Sequence, residues 1–179
     1  MSWYEFEGKR PCIHPQAFVH PAAILIGDVN IAAKCYIGAG AVLRGDIGSI
    51  RIENGSNVQE NCVLHTFPDT STLIHANAHI GHGCILHGCE ICSYVLVGMG
   101  SIIADGVRIN PNCLIGAGSF VPFQKEIPPN SVAAGVPIKK LRAISKKQIE
   151  QIANGLVIYQ DLTERYLKSF KKIQPHDTA

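Results

Sequence analysis

Ile91-Cys-Ser-Tyr-Val-Leu-Val97-Gly-Met-Gly-Ser-Ile-Ile103-Ala-Asp-Gly-Val-Arg-Ile109-Asn-Pro-Asn-Cys-Leu-Ile115-Gly-Ala-Gly-Ser-Phe-Val121 places an aliphatic residue at every sixth position. Going back toward the N-terminus, the same spacing gives Val19, Leu25, Ile31, Ile37 and Leu43. After three extra residues it resumes at Ile52, Val58 and Leu64. Four more extra residues lead to Ile74, Ile80 and Leu86, and a one-residue slip joins Leu86 to Ile91. Self-similarity at this period predicts a parallel β-helix, an all-β solenoid in which each turn buries its apolar edge only against its neighbours.

The fifth position of the hexads is small or slim: Ala23, Val29, Cys35, Ala41, Ser56, Cys62, Cys84, Ser101, Val107, Cys113 and Ser119. An aliphatic and a small residue, both pointing inward, fill a narrow triangular interior. Four of the 7 cysteines fall at that position, with Cys89 in the same role, so they read as small buried hydrophobes. Cys89-Glu-Ile-Cys92 matches a redox CxxC only in letters, because no strand-then-helix context surrounds it. Glycines beside the aliphatics (Gly27, Gly38, Gly98, Gly116) are expected at corners that need permissive backbone angles.

The spacing divides the chain into a lead-in over 1–18, the β-helix over 19–126, a rigid extended connector over 127–144, a helix over 145–173 and a tail over 174–179. Pro122, Pro128, Pro129 and Pro137 carry the connector assignment. Ser145 with Gln148 forms a capping box ahead of a stripe of Ile149, Ile152, Leu156, Tyr159, Tyr166, Leu167 and Phe170, expected to pack outside the prism. Gly155 weakens this helix and could mark a bend. With 16 basic against 14 acidic residues, a formal charge of +2 gives no general attraction to nucleic acid or to a membrane. Neither a secretory signal nor a long apolar span is evident, and a cytoplasmic protein is expected.

The histidines supply the chemistry. His65 follows Leu64 and His87 follows Leu86; their separation of 22 is one coil of 18 plus the four-residue insertion. They should therefore stack on adjacent coils, about 4.8 Å apart along the backbone. Two imidazoles at that distance can share a metal, and a third ligand with an open position makes a catalytic zinc site. His82 falls on a different face and would reach the pair only from a neighbouring copy. The spacing thus predicts a homotrimer with a metal at each subunit interface. Zinc is the simplest ion, and iron or cobalt fits the same ligands. His75 reads as a surface residue and His79 as a residue behind the ligands; His14, His20 and His176 carry no signal.

Arg44-Gly-Asp46, Asn57-Val-Gln59-Glu60-Asn61, His65 and Gly81-His82 with His87-Gly resemble the signature of γ-class carbonic anhydrases and their relatives. Within that family the chain is similar to the branch containing the phenylacetic acid degradation protein PaaY and the carnitine operon protein CaiE. The resemblance implies a left-handed parallel β-helix, a homotrimer, and Zn2+ (or Fe2+ or Co2+) bound by His65, His82 and His87. It implies that Gln59 orients the metal-bound water or hydroxide, and that Arg44 and Asp46 form an ion pair that positions this network. Tyr159 would line the pocket. Glu60 stands where the family more often has Asp. The loop after His65 is short, Thr66 to Thr72, with Asp69 its one acid, where the archetypal member carries a long acidic loop with a glutamate proton shuttle.

The expected function is a metal-hydroxide enzyme acting on a small carbonyl electrophile. CO2 hydration and PaaY-type hydrolysis of acyl-CoA thioesters are the two forms of it. The alternatives are a coenzyme A-dependent hexapeptide acyltransferase, with a histidine as general base, and a non-catalytic accessory protein of acyl-CoA metabolism.

Overall fold

The computed structural model describes residues 2–174, so His176 and nearly all of the expected tail lie outside the described residues. The chain winds as a left-handed parallel β-helix of about seven turns, followed by one helix. The lead-in supplies β1 (Ser2–Tyr4) and β2 (Cys12–Ile13). The first coil contains β3 (Phe18–Val19) and β4 (Ile24–Ile31), the second β5 (Tyr36–Ile37) and β6 (Val42–Ile52). The third contains β7 (Asn57–Val58), β8 (Val63–His65) and β9 (Ser71–Ile74). The fourth contains β10 (His79–Ile80), β11 (Ile85–His87) and β12 (Glu90–Ile91). The fifth contains β13 (Leu96–Val97), β14 (Ile102–Ile103) and β15 (Arg108–Ile109), and the sixth β16 (Leu114–Ile115), β17 (Phe120–Val121) and β18 (Glu126–Ile127). Then come β19 (Ser131–Gly135), β20 (Ile138–Ala143) and α1 (Lys146–Ser169).

Stacked parallel strands give the prism three faces. The first face is the row β3, β5, β7, β10, β13, β16 and β19. The second is formed by the first halves of β4 and β6, then β8, β11, β14 and β17. The third is formed by the second halves of β4 and β6, then β9, β12, β15 and β18. The first edge joins faces one and two, the second edge faces two and three, and the third edge faces three and one. Every repeat aliphatic from Val19 to Val121 is buried, as are the small fifth-position residues. They line up because the coils stack in register, for example Leu43 with Leu64 and Leu64 with Leu86.

The segment expected as an extended connector is instead ordered sheet. Ile127 and Ala133 continue the six-residue spacing inward, and β19 pairs in parallel with β16. Pro128 and Pro129 occupy a corner between coils, as Pro111 does one coil earlier, where no ladder N–H is required. β20 then turns back antiparallel along β19. The lead-in also belongs to the solenoid, since β1 and β2 pair in parallel with β4. The glycine expectation needs correction as well. Gly27 has a positive φ, but Gly38 and Gly98 do not; a Cβ on them would stand 2.6 Å from Glu60 N and 2.5 Å from Ala117 N. Close approach of the next coil, not an unusual backbone angle, excludes a side chain there.

α1 begins at the expected capping box, with Ser145 and Gln148 bonded reciprocally, and ends at Ser169. It lies along the first face, burying Ile152, Leu156 and Thr163. Ile149, Leu167 and Phe170 from the expected stripe stay exposed. The helix runs unbroken through Gly155, where a Cβ would stand 3.3 Å from His79 Cε1, so this glycine admits the imidazole beneath it. Among the described residues no helix is long and apolar enough to cross a membrane.

Candidate metal centre

β8 and β11 pair in parallel with His65 opposite His87, at the second edge. His65 Nε2 lies 3.1 Å from Asp46 Oδ1, and His87 Nδ1 lies 2.5 Å from Asp105 Oδ1. A carboxylate only accepts, so those ring nitrogens carry the protons and the other two present lone pairs. These two, His65 Nδ1 and His87 Nε2, face each other at 3.0 Å. A tetrahedral ion with metal–nitrogen bonds of about 2.0–2.1 Å holds two imidazole nitrogens about 3.3 Å apart. The donor set therefore fits a divalent ion, and each imidazole has the carboxylate behind it that fixes ring orientation in metal sites.

Arg44 joins this edge: Nη1 donates to Asp46 Oδ2 at 3.2 Å and Nη2 to His65 Nδ1 at 3.3 Å, the latter a bond that an ion on that nitrogen would displace. Burial pushes the Asp46 carboxyl up, but hydrogen bonds from His65 and the Ile47 amide, with the Arg44 charge, outweigh it and leave it below the usual carboxylate range. Burial holds His65 below the ordinary imidazole value, with Arg44 adding to that and Asp46 opposing it. The four-residue insertion forms a tight loop in which Thr66 and Thr70 hydroxyls lie 2.5 Å apart. It sets the Phe67 ring 4.9 Å from the ring of His87, and Asp69 stays exposed in a left-handed turn.

His82 sits on the first edge, across the second face from the pair. Its Nδ1 lies 2.7 Å from Glu60 Oε2, and Glu60 Oε1 accepts from the Tyr36 hydroxyl at 2.9 Å. The same carboxylate–imidazole pattern therefore occurs a third time, with Nε2 left to face outward on a half-exposed side chain. Gln59 lies buried beside it, its amide nitrogen 3.1 Å from Asn57 Oδ1 and 2.7 Å from His79 Nε2. Burial, helped by the His82 charge, lowers His79 to about 4, so it stays neutral and accepts from Gln59. Tyr159 on α1 places its ring 5.2 Å from His79 and 5.3 Å from Tyr36. Burial, then the Glu60 charge, raises the Tyr159 hydroxyl to about 12, which keeps it protonated.

Within one chain the structure thus brings His65, His87, Arg44 and Asp46 together, and separately His82, Glu60, Gln59 and Tyr159. Asp105 and Tyr36 were missed from sequence, and Asn57 was read only as part of the signature, without a role. Asp105 lies one coil of 18 beyond His87, so coil arithmetic could have found it; nothing in the sequence singles out Tyr36.

The family described as bacterial transferase hexapeptide (six repeats) matches residues 88–122. The carnitine operon protein CaiE of Salmonella agona (strain SL483) is 44% identical over 177 residues, covering 98% of this chain and 88% of that protein. CaiE of Escherichia coli (strain K12) is 43% identical over 175 residues, covering 98% and 89%. A Bacillus cereus structure, provisionally assigned as an acetyltransferase, matches with a TM-score of 0.91 at 34% identity, over 93% of this chain and 97% of that one. A hexapeptide transferase family protein from Anaplasma phagocytophilum matches with a TM-score of 0.89 at 34% identity, over 92% and 98%. By likeness over nearly its whole length, the chain belongs to the CaiE-related group of the hexapeptide-repeat family.

Proposed function

We propose that the protein is a homotrimeric, metal-dependent enzyme of γ-class carbonic anhydrase type that acts on a small carbonyl electrophile. The observation that carries this reading is the pair of imidazole lone pairs facing each other at 3.0 Å, each ring fixed by its own carboxylate. His65 and His87 of one copy, with His82 of a neighbour, would hold the ion, zinc being the first choice and iron or cobalt the alternatives. A divalent ion bound there supplies Lewis acidity that makes water nucleophilic near neutral pH.

The trimer reading has separate support. The outward residues of the second face form an apolar row of Val42, Val63, Ile85, Ile102 and Phe120, aligned strand by strand. Val63, Ile85 and Ile102 are exposed. α1 covers the first face, and the third carries Arg51, Glu90, Arg108 and Glu126. Only a second copy brought against the second face would join a first edge to a second edge, and so His82 to the His65–His87 pair.

The remaining side chains then have definite tasks. Asp46, Asp105 and Glu60 orient the three imidazoles. Arg44 holds Asp46. Gln59, pinned through its amide nitrogen, offers its carbonyl oxygen to orient the attacking water. Phe67 presents an apolar wall beside His87, where the resemblance would place an acidic proton shuttle. That wall favours an acyl-CoA thioester over rapid CO2 turnover. The likeness to a protein assigned as an acetyltransferase supports a second reading, acyl transfer from coenzyme A with a histidine as base.

Metal content and solution mass of the purified protein test the proposal together with His82→Ala. The expected result is a trimer that hydrolyses acyl-CoA and holds one ion in each shared three-histidine site. His82→Ala should lose the ion of that shared site, and turnover, while its far-ultraviolet circular dichroism is unchanged. Full turnover in a metal-free His82→Ala protein would overturn the reading, and chelator-insensitive acyl transfer would replace it with the second.

A further inference from the structure

The third edge of the prism, outside both edges discussed so far, carries its own column of side chains. Glu53, His75, Cys92 and Asn110 follow Ile52, Ile74, Ile91 and Ile109, and those aliphatics are stacked in register. His75 Nδ1 lies 3.2 Å from Glu53 Oε2, which also accepts from the Ala76 amide at 3.1 Å. His75 Nε2 lies 2.8 Å from Glu90 Oε1. One ligand atom each from His75, Glu90 and Cys92 all fall within 4.8 Å of one another.

An ordinary ion-pair ladder would account for Glu53, His75, Glu90 and Arg108, but it gives no role to a thiol. Cys92 is 4% exposed, yet it lies outside the interior column in which Cys89 is packed. The interior thiols Cys35, Cys62, Cys84 and Cys113 donate to backbone carbonyls at 3.0–3.2 Å. Cys92 Sγ, like that of Cys89, makes no such hydrogen bond among the described residues, but it alone of the two lies within 4.8 Å of ligand atoms of an imidazole and a carboxylate. Nitrogen, oxygen and sulfur donors converging in this way suit a borderline divalent cation. Glu53 behind His75 repeats the carboxylate–imidazole arrangement seen at the other two edges.

We propose that His75, Glu90 and Cys92 form a second, mononuclear site for a zinc-class divalent cation, with Glu53 orienting His75. The thiol gives up its proton to solvent as the thiolate–metal bond forms, while Arg108 holds the other oxygen of Glu90. The ion would tie the third coil to the fourth on the edge that the trimer contact leaves free. The proposal does not depend on the function proposed above.

Titration of the metal-free full chain with cobalt(II) chloride tests it, because only a site with a thiolate gives a sulfur-to-cobalt charge-transfer band in the near ultraviolet. The three-histidine site has no sulfur and is silent in that band. The wild type should develop the band within two equivalents per chain, and His82→Ala, with only the sulfur-containing site left, within one. Cys92→Ser and Cys92→Ala should lose it with far-ultraviolet circular dichroism unchanged. Glu53→Gln should weaken cobalt binding about 10–100-fold, as loss of a supporting carboxylate does. A wild type without the band, or a band that survives in both Cys92 variants, overturns the proposal.

Discussion

His79 lies under α1 with Gln59 on one side and Tyr159 on the other, and its protonation has a cost that can be measured. Its folded value of about 4 is below the unfolded value of about 6.5. The unfolded chain therefore takes up this proton first. Stability from this residue is complete above about pH 6.5 and falls as the pH drops toward 4, by about 3 kcal/mol at most. Urea unfolding of metal-free protein at pH 7 and pH 4 should show that loss in the wild type but not in His79→Gln, whose amide oxygen still accepts from Gln59. Equal acid sensitivity of the two proteins would remove this account. At this scale the sequence reveals whatever coil arithmetic controls. His65 and His87 are stacked by an 18-residue coil plus a four-residue insertion. The partners that orient the imidazoles depend on how corners bend, so Tyr36 and the contact of Asn57 with His79 could not be read from the sequence, and Gln59 meets His79 rather than the ligand pair.

The elements divide in the same way. The strands are legible because each needs an inward aliphatic at a fixed interval, and burial of Val19 through Val121 follows that interval. The connector was misjudged because proline density outweighed two further aliphatics, Ile127 and Ala133, that kept the count. α1 was legible from its capping box and stripe, but its contact with the prism passes through Thr163 and Gly155, small residues that a hydrophobic pattern overlooks. Leu156 is 3% exposed, so Leu156→Ala should cost about 2–4 kcal/mol by leaving a cavity under the helix. Ser145→Ala should cost about 1 kcal/mol by removing the cap. Thermal unfolding of both variants checks this order; a larger loss from Ser145→Ala would mean that the helix is held by its end and not by its buried face.

For the whole molecule, the contrast among the three faces is the decisive feature. The second face presents its apolar row to solvent in a single chain, whereas the third is charged and the first is largely covered by α1. Val63→Glu combined with Ile85→Glu should therefore yield a monomer by light scattering, with β-rich circular dichroism retained and the interface metal lost. A trimer that survives both charges would place the contact elsewhere. The reversed strand β20 has a different consequence. A β-helix is a spool with two open ends, and an end that exposes a parallel strand invites another spool to continue the winding without limit. β20 runs against that direction and carries exposed Lys139 and Arg142. On the first face Ile138–Ala143 thus work against continued winding, while β17 and β18 end the other two faces.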